Sequence, residues 1–201
     1  MKESIIIISI LTQICSCSNN ESEKFIDDFN NNKLGWIEET TAFHDLYIQD
    51  GVYTLINKDT ASELSSTRYL DQSWHYDLGD QYSINSSISI SGNGYDSLSC
   101  GLILECNSYI YYFTLYESGL VDISEYNYLK DETLYLKDVD SLSKTNKFDL
   151  TLNIEGWNFE FIANNKPIAN GQFQCKNWNR IVPFTGKFTM SEVDYLSLTK
   201  E

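Results

Sequence analysis

The side chains best suited to hold a polyhydroxylated ring are two tryptophans, one tyrosine and two asparagines: Trp74, Tyr111, Trp178, Asn177 and Asn179. An aromatic face can stack on the C–H groups of such a ring, while asparagine amides donate to and accept from its hydroxyls. Trp178 has the most polar neighbours of any tryptophan, within Lys-Asn-Trp-Asn-Arg. We therefore predict these five residues as ligand contacts. For Trp74 and Trp178, burial in the core remains an alternative.

Other aromatic residues are expected to pack. Trp36 follows Gly35 and is predicted to anchor a core, and Trp157 is predicted to be buried as well. Along the aromatic run 109–117, side chains of one parity must face the core and those of the other parity a sheet surface. We expect Tyr112 to point inward and Tyr111 outward, in a register that depends on Gly101.

The sequence offers little for catalysis. A retaining glycosidase needs two carboxyl groups about 5–5.5 Å apart. Glu155 and Glu160 have an odd spacing, which predicts opposite faces of a regular strand. Asp138 and Asp140 match in parity but stand in a polar stretch, and no Gly-x-Ser-x-Gly elbow occurs. We expect no catalytic residue.

Metal and cofactor sites are not indicated either. His44 and His75 are the two histidines, and neither has a second ligand at metal spacing. Asp122, Glu125 and Asp194 could offer oxygen ligands to calcium, but their spacing does not converge. No phosphate-cradling glycine loop is present. We expect no metal and no cofactor.

The charge of the chain excludes one class of partner. Among 201 residues, 29 are acidic and 14 basic, which gives a formal net charge of −15. Such a surface repels nucleic-acid phosphates, and the basic residues form no stripe. We expect no nucleic-acid binding.

The N-terminus predicts export. Lys2 precedes a short apolar run from Ile5 to Ile14, which is too short to span a bilayer and is typical of a signal peptide. Ile14-Cys15-Ser16-Cys17 resembles a lipobox, with Cys17 as the acylated residue. We predict a signal peptide over 1–16, a tether over 17–24 and an outer-membrane lipoprotein of the cell envelope, its exposed face undetermined. An ordinary secretory peptide or an N-terminal strand remains an alternative.

Three cysteines remain beyond the tether: Cys100, Cys106 and Cys175. An odd number forbids complete pairing. Cys100 and Cys106 are six residues apart in one predicted strand, hence about 20 Å apart and too distant to bridge. One of them could reach Cys175, but buried free thiols are favoured.

Alternation of apolar and polar residues with a period of two dominates residues 25–201. It places three sets on one side of a strand each: Tyr82, Ile84, Ser86, Ile88 and Ile90; Leu98, Cys100, Leu102, Leu104 and Cys106; Phe148, Leu150, Leu152 and Ile154. Asp50-Gly51 and Asn164-Asn165 mark hairpin turns. Strands and turns at this spacing predict a single all-β, two-sheet antiparallel sandwich.

The order of these features resembles the concanavalin A-like lectin/glucanase superfamily over nearly the whole chain after the tether. Asp27-Asp28-Phe29 with Gly35-Trp36 resembles its opening strand, and Asp50-Gly51-Val52-Tyr53 the strand that follows. Gly101 to Leu104 and Tyr111 to Phe113 resemble its central meander, and Asn153 to Ile168 a later hairpin. Val193 to Leu198 resembles its closing strand.

The resemblance implies a jelly roll of two curved sheets in which the closing strand pairs with the first. It is close to LamG-like and 3-keto-disaccharide hydrolase-like members, and the polar tether resembles surface lipoproteins of the Bacteroidetes. We therefore favour an envelope-anchored, non-catalytic module that binds carbohydrate or another surface partner. A glycoside-acting hydrolase and a structural or protein-interaction lipoprotein are the alternatives.

Overall fold

The alternating segments form the strands of two antiparallel sheets in the computed structural model, which describes residues 24–32, 35–58, 81–92, 98–106, 108–127, 129–176, 178 and 180–200. The strands are β1 (Lys24–Asp27), β2 (Glu39–Thr40), β3 (His44–Gln49), β4 (Val52–Asn57), β5 (Gln81–Gly92), β6 (Ser99–Cys106), β7 (Tyr109–Tyr116), β8 (Leu120–Asn127), β9 (Lys130–Asp138), β10 (Lys147–Glu155), β11 (Asn158–Ala163), β12 (Lys166–Gln172), β13 (Arg180–Thr185) and β14 (Thr189–Lys200). A short 3-10 turn covers Asp140–Leu142. The predicted all-β sandwich is confirmed.

The large sheet has the order β12-β11-β10-β5-β14-β4-β3-β2, and the small sheet has the order β13-β6-β7-β8-β9. β1 joins the large sheet through the C-terminal half of β14, with Phe25 opposite Leu198. The expected pairing of the first and closing strands is therefore confirmed. Because β14 also pairs with β5 on its other edge, the first and the last of these strands are both held within the large sheet.

The three predicted alternating sets all face the space between the sheets, and every member is buried. An aromatic cluster fills one end of this core. The ring of Phe113 in the small sheet lies 5.3 Å from Phe159 and 5.2 Å from Phe161 of the large sheet. Edge-to-face contacts of this kind add to the free energy gained by burying the rings.

A buried carboxylate fixes the N-terminal segment against the opposite end of the core. Trp36 donates its indole N–H to Asp27 Oδ2 at 2.6 Å, and the backbone N–H of Phe29 donates to Asp27 Oδ1 at 3.0 Å. The rings of Phe29 and Tyr53 pack on Trp36 at 5.4 and 5.2 Å. The predicted core role of Trp36 is confirmed, with 4% of its surface exposed.

Both predicted hairpin turns form. Asp50 and Gly51 have φ angles of 53° and 77°, and Asn164 and Asn165 have 49° and 61°. Two successive residues with positive φ give the twist that matches a two-residue antiparallel hairpin, and Asp, Asn and Gly tolerate this conformation best.

Cys106 and Cys175 form a disulfide, with their Cα atoms 6.3 Å apart. Cys106 ends β6 in the small sheet, and Cys175 lies in the segment between β12 and β13, so the bond ties the end of β6 to the segment that connects the two sheets. The expectation of free thiols was wrong for this pair, because folding brings together residues separated by 69 positions. Cys100 is free and buried, as expected.

Replacing both partners, as Cys106→Ser with Cys175→Ser, should lower the free energy of unfolding by about 2–4 kcal/mol, because the unfolded chain regains the freedom of a long loop. Urea denaturation followed by tryptophan fluorescence measures this change. Reductant should destabilise the wild-type protein and leave the double variant unaffected. An unfolding midpoint of the wild-type protein that ignores reductant would contradict the assignment.

Candidate functional site

Tyr111 lies in the core and not on a ligand surface. Leu104 of β6 pairs directly with Tyr111 of β7, and neither side chain is exposed at all. Tyr112 therefore points outward, and the predicted orientation was wrong by one residue. The reason is that β7 carries apolar and aromatic residues on both faces, while Gly101 has no side chain to fix the register.

Trp178 is also part of the core, with 6% of its surface exposed. Its ring centre lies 4.6 Å from that of Phe173 and 5.8 Å from that of Tyr111. Its prediction as a ligand contact is corrected, because the segment around Cys175 is held against the aromatic end of the core. The remaining predicted site residues, Trp74, Asn177, Asn179 and the lipidation residue Cys17, lie outside the described residues.

The outer face of the small sheet brings polar and aromatic side chains together in three rows, since paired residues of antiparallel strands point to the same side. From β13 to β9, the first row is Arg180, Glu105, Ile110, Tyr126 and Asp131. The second row is Val182, Ile103, Tyr112, Ser124 and Thr133, and the third is Phe184, Gly101, Thr114, Asp122 and Leu136. We refer to these residues as the small-sheet face.

An ion pair occupies the β13 side of this face. Nη1 of Arg180 donates to Oε2 of Glu105 at 3.3 Å, and the two side chains are 20% and 30% exposed. Within the described residues, Nε and Nη2 of Arg180 are buried and have no hydrogen-bond partner. An unsatisfied buried donor of a charged group costs free energy, so such groups often mark a site that a ligand or water completes.

Tyr112 lies beside this ion pair. Its ring meets that of Phe184 edge to face, with centroids 6.3 Å apart. Gly101 makes this possible, because a Cβ atom there would come within 2.8 Å of the Phe184 ring and 1.9 Å of the Phe113 carbonyl oxygen. Burial raises the pKa of Tyr112, and the nearby Arg180 guanidinium opposes that rise.

Asp122 places a second carboxylate on the face. Its Oδ1 atom is buried and has no hydrogen-bond partner in the described part of the chain. Burial raises the pKa of Asp122, and the negative charge of Asp131 raises it further. The face thus holds unpartnered donors on Arg180 and an unpartnered acceptor on Asp122.

A second polar surface lies on the outside of the large sheet, where the ends of β5, β10 and β11 line a cavity of about 290 Å³. Six polar side chains of one parity surround it: Gln81, Ser83, Asn153, Glu155, Asn158 and Glu160. We refer to it as the Glu155 cavity.

Glu155 and Glu160 share this cavity, so their predicted placement on opposite faces was wrong. Gly156, with φ of 61°, and Trp157 form a turn between the two residues, and parity cannot be counted through a turn. In the resulting hairpin Asn153 pairs with Glu160, which returns both carboxylates to one side.

Trp157 departs from its predicted core position, with 48% of its surface exposed in that turn. The ammonium of Lys176 lies 5.2 Å from its ring centre. The hairpin turns too tightly for a side chain at this position to reach the core.

Sequence reasoning missed Arg180 and Glu105. Arg180 begins a strand that continues with four apolar residues, Ile-Val-Pro-Phe, and a single charge at the start of such a strand could have indicated a functional residue. Its partner could not be identified, because the two residues are 75 positions apart and meet only through strand register.

The three acidic residues considered for calcium lie apart. Asp122 faces outward from the small sheet, Glu125 is buried on its inner face beside Tyr111, and Asp194 binds Lys147 at 2.9 Å on the large sheet. Among the described residues, no three His, Cys, Asp or Glu side chains are grouped to hold a metal. The described ranges also contain no helix with the length and apolar character to cross a bilayer.

Asp122→Asn should raise the free energy of unfolding at pH 7. The raised pKa means that the folded state disfavours the ionised carboxylate, so the wild-type protein carries a penalty above that pKa. The penalty disappears below the ordinary aspartate pKa of 3.8, so the advantage of the variant should shrink as the pH falls toward 4. Urea denaturation at both pH values measures it, and a variant less stable at pH 7 would contradict the account.

Comparison with known proteins rests on structure alone, because neither a family model nor a curated protein sequence matches this chain. A β-glucanase of Bacillus licheniformis superposes with a TM-score of 0.59 at 8% identity, covering 89% of this chain and 98% of that one. The CBM2 module of the evolved Dit of Lactobacillus casei BL23 phage J-1 gives 0.57 at 8% identity, with coverages of 89% and 96%.

A structure from work on endo-acting O-glycanases of the human gut microbiota also gives a TM-score of 0.57, at 8% identity, with coverages of 88% and 98%. At such identities the likeness concerns the fold. Two antiparallel sheets, the joined first and last strands and these superpositions together establish it. The chain has the jelly-roll sandwich fold of the concanavalin A-like lectins and glucanases.

Proposed function

We propose that this chain is a carbohydrate-binding module that takes a neutral saccharide on the small-sheet face, without catalysis. The observation that carries the proposal is the set of buried, unpartnered polar atoms there: Nε and Nη2 of Arg180 and Oδ1 of Asp122. A site that leaves such atoms unpaired gains free energy from a ligand that satisfies them.

The two unpartnered nitrogens of Arg180 lie on the same edge of its planar guanidinium. That edge donates two parallel hydrogen bonds, which suit a pair of neighbouring oxygens on a ligand. The bond from Nη1 to Glu105 holds the group in place. Adjacent hydroxyls of a saccharide present oxygens at suitable spacing for such a fork.

The charges nearby favour an uncharged ligand. Glu105 already accompanies Arg180, and Asp122 and Asp131 lie on the same face. A carboxylate or phosphate would fill the donors but would leave Asp122 Oδ1 without a donor and add repulsion. An ammonium group would donate to Asp122 Oδ1 but would leave the two Arg180 donors without an acceptor. A hydroxyl both donates and accepts, so a neutral saccharide satisfies both kinds of group.

The fold supports this class of ligand, since a β-glucanase and a carbohydrate-binding module number among the chains that superpose on it. Tyr112, which is partly buried, and Tyr126, which is 37% exposed, add aromatic surface on which a sugar ring can rest. On this face Glu105 is held in an ion pair with Arg180, which supports a role in orienting the guanidinium for binding.

Export to the cell envelope, with Cys17 as the lipid-bearing residue, is the second part of the proposal. The Cys106–Cys175 disulfide supports it, because such bonds persist in oxidising compartments. The segment around Cys17 would then connect β1 to the membrane.

Arg180→Met should weaken binding of neutral glycans roughly 10- to 100-fold, as expected for loss of hydrogen bonds from a charged donor. A glycan array that contains neutral, uronic and sulfated glycans, followed by titration calorimetry of the strongest neutral ligand, measures this. Lys166→Met, in the exposed β12 start on the other sheet, is the matched control and should bind normally. Retention of no glycan by the folded wild-type protein, preference for acidic glycans, or hydrolysis of the bound glycan would contradict the proposal.

Cys17→Ser should move the protein from the membrane fraction to the soluble fraction of the producing cell, since the acylated residue is removed. Immunoblots of the two fractions measure the change, and Cys15→Ser is the matched control that should stay in the membrane fraction. Membrane retention of the Cys17 variant would contradict lipidation at this residue.

A further inference from the structure

We infer that the Glu155 cavity is a second saccharide-binding site, on the opposite side of the sandwich from the small-sheet face, and that the chain is therefore bivalent. Side chains of the cavity point away from the core on the large sheet, whereas Arg180 and Tyr112 point away from it on the small sheet. The two surfaces share no residue.

Hydrogen bonds hold the polar groups of the cavity in fixed orientations. Ser83 Oγ donates to Asn153 Oδ1 at 2.8 Å, and Asn153 Nδ2 donates to Glu160 Oε2 at 3.1 Å. Gln172 Nε2 donates to Asn158 Oδ1 at 3.1 Å. A ligand therefore meets groups that are already positioned, which reduces the entropy lost on binding.

The same bonds decide what the cavity offers. Because Asn158 Oδ1 accepts from Gln172, its Nδ2 group remains a donor. The second oxygen of Glu160 and the carboxylate of Glu155 remain acceptors, and within the described residues neither glutamate forms an ion pair. The cavity thus presents both donors and acceptors at short range, which matches the hydroxyls of a neutral saccharide.

An exposed aromatic residue lies next to the cavity-lining residues in the sequence. Trp157 lies in the turn between Glu155 and Asn158, which both line the cavity, and 48% of its surface is exposed. Its side chain does not line the cavity, and the Lys176 ammonium lies over its ring, so only the part of the ring left exposed offers apolar surface beside the cavity. The cavity volume of about 290 Å³ is at the small end of ligand pockets, which suits one or two sugar units.

Bivalency has a measurable consequence. Two sites on opposite faces cannot hold one short oligosaccharide together, but they can engage two strands or distant parts of a polysaccharide. Linked binding events raise the apparent affinity well above that of either site alone. Retention on a polysaccharide should therefore depend on both sites, whereas binding of a disaccharide at one site should not depend on the other.

The test is a nuclear magnetic resonance titration of the ¹⁵N-labelled protein with cellobiose, maltose, lactose and xylobiose in turn. At least one of these should shift the side-chain amide signals of Asn153 and Asn158. Glu155→Ala should raise the dissociation constant obtained from these shifts about 10-fold, as expected for loss of one hydrogen bond to a charged group. The matched control is Glu192→Ala, which removes the same charge from the same sheet face outside the cavity.

Arg180→Met separates this inference from the proposed function. It should weaken the response of the small-sheet face roughly 10- to 100-fold and leave the shifts of Asn153 and Asn158 unchanged. Shifts confined to the small-sheet face would overturn the second site and leave the proposed function standing. If the Asn153 and Asn158 signals shift only when glucosamine or Ca²⁺ is added, the inference is also overturned, because the cavity would then be a cation-binding site.

Discussion

The pairing of β6 with β7 decides which side chains this protein presents to a ligand. Leu104 and Tyr111 pair on the inner face, so Glu105 and Tyr112 must point outward. A shift of one residue would bury Glu105 and Tyr112 and expose their apolar neighbours, at a cost of several buried side chains. The small-sheet face therefore exists because the inner face of these two strands is apolar over its whole length.

The aromatic end of the core also fixes the position of the segment that leads to Arg180. Phe173 and Trp178 pack together at 4.6 Å, and Cys175 between them is bonded to Cys106, next to Glu105. The segment that leads to β13 is thus held at both a covalent and a packing contact. Arg180 follows Trp178 by two residues. The packing of Trp178, the disulfide of Cys175 and the register of β13 with β6 together place Arg180 opposite Glu105. The contacts that stabilise the core therefore also determine the geometry of the small-sheet face.

The two sheets expose different kinds of surface. The small-sheet face is partly buried, with an ion pair and unpartnered atoms, and its polar groups are costly unless a ligand completes them. The Glu155 cavity is more open, and its amides and carboxylates are ordered by bonds among themselves. Both surfaces combine donors with acceptors, which is the property that a neutral polyol requires.

The sequence alone predicted the fold well, because long alternating segments such as 147–155 leave one consistent way to bury their apolar side chains. It predicted the site poorly. Tyr111 and Tyr112 differ only in parity, and an aromatic strand gives no polar side to decide between them. The turn at Gly156 reversed the expected relation of Glu155 and Glu160, and the contact of Arg180 with Glu105 depends on residues far apart in the chain. Local patterns determine strands, whereas sites depend on register between them.

The most direct test of the central claim observes the Arg180 side chain itself. In a ¹H–¹⁵N spectrum its Nε–H signal, assigned by its loss in Arg180→Lys, is followed during titration with neutral disaccharides and with glucuronic acid. The account predicts a saturable shift with a neutral disaccharide and little response to the acid. A signal that responds to neither ligand, or to the acid alone, would contradict it.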